Sequence, residues 1–583
     1  MRERLELHGE KVCGGIGAGK LFFIDRKYSQ IPHLNLAEEE ISNEINRFVA
    51  AVENAGKELE SILSQKNIES ETASILEAHK MMLTDPTLSE MVKNMITESL
   101  INAEWAVLGV FDKLISLLNQ NNTDYYVKAK IADWEVIRDK LISELTGGTH
   151  SVFNKLPKDD FIVAAKNLTV DELHILSKNP NVKGIVLESP GGVSHLTMVL
   201  RSLEIPAVMG VPNLIFLLDY GDMLIVNGFK GTVVLRPTVD EIRTAFRKAE
   251  EFKSYFARFL EDISTPSVSR DNRILKVGGN IDQTGEVDFV KKYGGEFIGL
   301  FRTELMFSKN NEIPSEDTHF DVYYQVLHRA LPLRATIRIF DFGEDKSGAI
   351  VTKGFMGMRG IRLCKERPDV FIPQLRGLIR AAKLGNLNIL LPFVSTAHEV
   401  DDFRNLLYKT AEEMGLSENL KNTKIGAMIE VPASVFIIEQ IASEVDFFSI
   451  GTNDLIQYLM AVERKDQFSS DYFSYYHPAV IRVINQIVTV AKTKNKPVNI
   501  CGEMASDPYL PLLFLAMGID ALSMNPASIP IIKKIIKCGY LHEGEEILSL
   551  MMAAADRGEV IALLKRCMVD KYPNIFKKEW NYQ

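Results

Sequence analysis

Cysteine is scarce in this chain. Cys13, Cys364, Cys501, Cys538 and Cys567 are scattered through 583 residues and form no CxxC pair. That spacing disfavours a disulfide scaffold and a cysteine-built zinc site, and fits reduced thiols in a cytoplasm. Long apolar runs are missing too. The longest, such as Leu510 to Gly518, are too short to span a bilayer, so no membrane insertion is expected. The opening Met1-Arg2-Glu3-Arg4-Leu5-Glu6 is charged and has no apolar core, so it does not read as a secretory signal. Excess positive charge is absent. A net charge of −10 argues against a nucleic-acid partner, which normally demands a basic stripe. What remains is an ordinary globular composition, 46% hydrophobic and 25% charged, in a chain too long for one core. An acidic protein can still take an anionic substrate where its arginines gather in one cleft.

Residues 1–25 read as a short strand, a glycine-rich turn and another strand. The pattern then changes. Ile41, Ile45, Phe48, Val52, Ala55, Leu59 and Ile62 fall four and three apart, on one stripe of a long helix. Helical stretches follow at about 74–82, 87–100, 103–119 and 126–146, which predicts an antiparallel helical subdomain at 26–146. From about 160 to 236, short apolar runs such as Phe161–Ala164, Gly184–Leu187, Ala207–Met209 and Met223–Val226 alternate with turn residues. The helices are therefore read as an insertion into a small α/β domain formed by 1–25 and 147–236. Residues 237–262 are charged and helical in pattern, and are read as a linker. From 263 to 583, strand-like runs recur near 275–281, 296–302, 335–341, 388–393, 425–430, 446–451, 497–501 and 520–524. Eight such units match the size of a (β/α)₈ barrel, whose chemistry sits at the C-terminal ends of its strands.

Polar residues fall in phase with those ends. Arg302 and Arg338 lie at or near the ends of two apolar strands, and Arg464 follows the Asn453-Asp454 loop. Arginine forks match phosphate and carboxylate oxygens, although a lone arginine is more often a surface ion pair. Arg359 is a weaker fourth member, as readily structural. Glu430 and Asp454 follow neighbouring strands; two carboxylates with water and substrate oxygens suit Mg²⁺, while helix caps would be the plainer explanation. Cys501 is a thiol at a strand end, able to give a proton to carbon, though buried cysteines are usually inert filler. In the smaller domain, Gly191-Gly192-Val193-Ser194-His195 opens a turn after a strand and leads into a helix start. Backbone N–H groups there favour phosphate, and a neutral imidazole is a competent nucleophile. Gly14-Gly15-Ile16-Gly17-Ala18-Gly19-Lys20-Leu21 nearly matches a phosphate-binding P-loop, but it lacks the closing Ser or Thr and runs into a strand. His79 and His477 are isolated and read as structural.

Taken in order, GGVSH at 191–195, GLFRTE at 299–304, RIFDFGEDK at 338–346, GAMIEVPAS at 426–434, DFFSIGTNDLIQY at 446–458 and CGEMASDP at 501–508 resemble Enzyme I of the bacterial phosphotransferase system, over nearly the whole chain. The resemblance implies a multidomain α/β fold. Residues 1–25 and 147–236 form the swivelling phosphohistidine domain, and 26–146 the helical subdomain that binds the histidine carrier HPr. The linker at 237–262 leads to a TIM-like barrel at 263–583 that binds phosphoenolpyruvate and forms a homodimer. By the same resemblance, His195 carries the phosphoryl group. Arg302, Arg338, Asn453, Asp454 and Arg464 contact substrate, Glu430 and Asp454 hold Mg²⁺, and Cys501 donates the proton. Val193, Glu344 and Phe393 depart from the family pattern. Two rivals are set beside this reading. A pyruvate-phosphate dikinase-like enzyme needs a large ATP-binding domain ahead of the histidine, where 36–146 here read as helices. A phosphoenolpyruvate-sensing regulator would bind without turnover.

Overall fold

The computed structural model describes residues 3–24, 34, 36–63, 70–119, 125–146, 156–189, 200, 205–219, 221–306, 313–341, 358–463 and 472–576. The chain divides into two compact units, 1–257 and 258–583.

The first unit holds an eight-stranded sheet and a set of long helices. Its strands are β1 (Leu5–His8), β2 (Glu10–Cys13), β3 (Ile16–Ile24), β4 (Phe161–Ala165), β5 (Val182–Leu187), β6 (Ala207–Met209), β7 (Met223–Asn227) and β8 (Thr232–Leu235), in the order β1-β8-β7-β3-β4-β5-β6-β2. β3 to β6 run parallel, and the flanking pairs are antiparallel. Side chains alternate across this sheet with period two. Phe161, Val163, Ile185 and Leu187 face a core with Leu173 and Leu176. Ile162, Ala164 and Val186 face the other side with Leu214 and Leu224. Both faces are covered, which accounts for the unbroken apolar runs.

Of the glycines at 14–19, Gly14 and Gly15 form the turn from β2 to β3, and Gly17 and Gly19 lie in β3. A methyl group at Gly17 would meet the Lys183 carbonyl oxygen at 1.8 Å, and one at Gly19 would meet Phe161 Cα at 2.7 Å. Gly17 and Gly19 permit close strand packing within β3, and the segment leads into a strand, not a helix.

Helices occupy Ile41–Leu63, Ser70–Leu83, Pro86–Ser99, Ala103–Asn119 and Tyr125–Leu145. The predicted stripe is their core: Phe48, Ala55 and Leu59 are buried with Leu88, Val92, Val107, Phe111 and Leu141. The helix Val239–Leu260 is opened by Thr238 and Glu241, each accepting the other's backbone N–H in a reciprocal cap.

The second unit is a closed all-parallel barrel of β9 (Lys276–Ile281), β10 (Ile298–Phe301), β11 (Ala335–Arg338), β12 (Leu387–Leu391), β13 (Lys424–Ile429), β14 (Phe447–Gly451), β15 (Val498–Cys501) and β16 (Ala521–Met524), in sequence order. Helices connect the strands, as parallel neighbours require. Each strand falls within, or overlaps, one of the eight predicted runs. No helix among the described residues is long and apolar enough to cross a membrane.

Candidate active site

Strand register brings the barrel's polar side chains to one rim. Arg302 follows β10, Arg338 ends β11, and Asp341 comes three residues later. Glu430 follows β13, Asn453 and Asp454 begin the helix after β14, and Cys501 ends β15. All of these lie at C-terminal strand ends, where such barrels place their chemistry.

Arg338 is buried and held by acids. Its Nη2 donates to Glu304 Oε1 at 2.9 Å, and its Nη1 lies 3.3 Å from Asp341 Oδ2. Burial disfavours the charged guanidinium, but Glu304, Asp341 and Glu430 outweigh it and hold the group firmly protonated. Among the described residues its Nε and Glu304 Oε2 find no hydrogen-bond partner. Buried polar atoms left so are uncommon and fit a surface made for a ligand. Arg359 forks onto Asp341, with Nε to Oδ1 at 2.8 Å and Nη2 to Oδ2 at 2.7 Å, and reaches Asp454 Oδ2 at 3.2 Å. Its guanidinium also lies 4.9 Å from the Phe393 ring centroid. Arg302 Nη1 meets Asp282 Oδ1 at 3.0 Å. Asn453 Oδ1 accepts from Glu503 N–H at 3.4 Å.

Cys501 is 4% exposed, with Sγ 3.0 Å from Ser449 Oγ. Burial pushes its thiol up to about 11, against a smaller opposing effect of the Ser449 hydrogen bond. The thiol therefore keeps its proton at neutral pH, as a proton donor must.

Asp341, Glu430 and Asp454 each offer a carboxylate oxygen, all within 4.8 Å of one another. Burial first, then the charges of Asp454 and Asp341, push the Glu430 carboxyl well above its ordinary range. Its Oε1 accepts from Phe393 N–H at 2.7 Å. Repelling carboxylates at one point fit a divalent cation, and an oxygen-only donor set fits Mg²⁺.

The structure thus gathers Arg302, Arg338, Glu430, Asn453, Asp454 and Cys501 onto the rim. His195 and Arg464, with Val193 and Glu344, lie outside the described residues. Sequence reasoning missed Glu304, Asp341 and Asp282. The first two stand inside the quoted GLFRTE and RIFDFGEDK segments, at strand ends, and that phase was the available signal. Arg359, open between ligand and ion pair, is paired with Asp341 and Asp454, as Arg338 is with Glu304 and Asp341. The isolated histidines are structurally engaged: His79 Nε2 lies 3.3 Å from Asp133, and His477 caps a helix by accepting from Ala479 N–H.

Family models match in three segments: the PEP-utilising enzyme N-terminal region over 8–130, the mobile domain over 157–231, and the PEP-binding domain over 258–539. The chain is 31% identical over 572 residues to the phosphoenolpyruvate-protein phosphotransferase of Bacillus subtilis (strain 168), covering 96% of this chain and 99% of that one. It is 32% identical to the protein of that name from Latilactobacillus sakei, covering 91% of this chain and 94% of the other.

Proposed function

From its membership of the phosphoenolpyruvate–protein phosphotransferase family, which the chain shares over almost its full length, we propose a route by which this enzyme moves a phosphoryl group. The donor is phosphoenolpyruvate, the first acceptor is His195, and the next is a histidine on an HPr-type carrier. The observation that carries the reading is the joining, on one barrel rim, of two arginines, a carboxylate pair and a protonated thiol.

Arg302, Arg338 and Arg464, with Asn453, bind the substrate's phosphate and carboxylate and orient its phosphorus. Their fixed charges offset the negative charge that shifts onto the leaving oxygen. A neutral His195 nitrogen forms the new P–N bond as the P–O bond to the enol oxygen breaks. The enolate left behind takes a proton at its methylene carbon from Cys501, and pyruvate departs. Mg²⁺ fits Glu430 and Asp454, and when bound there would offset further phosphate charge. Because His195 belongs to the first unit and the arginines to the second, transfer requires the two to meet, and the linker at 237–262 is the natural hinge. The same reading makes 26–146 the carrier-binding segment, the barrel a homodimer contact and the enzyme cytoplasmic.

Incubation with phosphoenolpyruvate, Mg²⁺ and an HPr-type acceptor tests this. Wild type should release pyruvate, and Arg338→Ala should lower kcat/KM by about 10²-fold or more, as loss of a charge-stabilising group does. Binding without pyruvate release would support the sensor reading in its place.

A further inference from the structure

Asp282 plays no part in the route above, yet it touches the substrate arginine. Both its oxygens face one nitrogen of Arg302, with Oδ1 at 3.0 Å and Oδ2 at 3.3 Å from Nη1. The pairing is built into the barrel. Asp282 follows β9 directly and Arg302 follows β10 directly, and the preceding residues Ile281 and Phe301 are register partners. Arg302 N–H donates to Ile281 O at 3.0 Å. On its other side, Asp282 N–H donates to Glu286 Oε2 at 2.6 Å. Two backbone bonds thus fix the loop that carries the carboxylate beside the guanidinium.

A substrate anion that takes Arg302 in the usual forked manner needs two of its nitrogens. It must either displace Asp282 or share the guanidinium with it. Either way it meets a fixed negative charge at short range. We propose that Asp282 sets substrate affinity: its carboxylate competes with the phosphoenolpyruvate anion for Arg302 and limits how tightly the site holds its ligands. This rests on the reading of Arg302 as a substrate contact. Selection follows from the charge. A phosphate-bearing polyanion displaces the carboxylate, whereas the monoanion pyruvate competes poorly and leaves. Weaker ground-state binding also keeps KM from falling uselessly low.

The test is calorimetric titration of the full chain with oxalate and Mg²⁺, oxalate being a flat dianion with the oxygen pattern of the pyruvate enolate. Asp282→Asn and Asp282→Ser should bind oxalate about tenfold more tightly, a difference of about 1.4 kcal/mol. KM for phosphoenolpyruvate should fall with no gain in kcat. Asp282→Glu, which keeps the charge, should stay near wild type. Thermal melts establish that each variant is folded, and the Ser variant stands in should the Asn variant not fold. Equal or weaker oxalate binding by the neutral variants would overturn the proposal and make Asp282 a support for Arg302. Tightening by Asp282→Glu as well would overturn it too, since charge would not be the cause. Failure of wild type itself to bind oxalate would instead count against the assigned function.

Discussion

Glu286 shows what a single residue's surroundings do that its sequence cannot announce. Burial, followed by the neighbouring Asp282 charge, raises its carboxyl to about 7 from an ordinary 4.5, despite the N–H groups of Asp282 and Gln283 that it accepts. A raised acid binds more protons folded than unfolded between those two values. Its contribution to stability is complete below about 4.5, falls as pH rises toward about 7, and is flat above. Glu286→Gln keeps the acceptor and removes the titration. The variant should melt at higher temperature than wild type at pH 8, and the gap should close near pH 4; a gap independent of pH would contradict this. Other residues were more legible. Arg302, Arg338, Glu430, Asp454 and Cys501 stand out because each follows an apolar run in the same phase. Glu304 and Asp341 did not, because an acid near an arginine in sequence reads equally as a surface pair. Only the fold shows that they are buried, and that Asp341 takes the Arg359 fork.

Among the elements, β3 carries the sharpest lesson. Its glycines imitate a phosphate loop, and the apolar Leu21 to Ile24 that follows was the sequence clue to a strand. The structure runs that strand back to Ile16 and pairs it with β4 and β7, so glycine serves close packing. Gly17→Ala should therefore destabilise the first unit by about 1–3 kcal/mol, the usual effect of overpacking, as read by its thermal unfolding. An unchanged melt would contradict that account. The barrel strands were legible because parallel strands buried on both faces are written as continuous apolar runs. Sheet order in the first unit was not. It depends on pairings such as Leu5 with Leu235, which no local pattern encodes.

For the whole molecule, net acidity and an anionic substrate are reconciled by concentration of charge. The chain carries −10 overall, yet Arg302, Arg338 and Arg359 are set on one rim, each against acids that hold it charged. The division into 1–257 and 258–583 puts His195, the proposed nucleophile, in one unit and Arg302 and Arg338, the proposed substrate contacts, in the other. The central claim is that phosphoenolpyruvate phosphorylates His195, and labelled phosphate tests it most directly. Wild type and His195→Ala are incubated with phosphoenolpyruvate labelled in its phosphate, with Mg²⁺. Label that is acid-labile, base-stable and present on wild type alone is the expected result. Label on both proteins would assign the nucleophile elsewhere, and label on neither, with substrate bound, would contradict the phosphotransfer account.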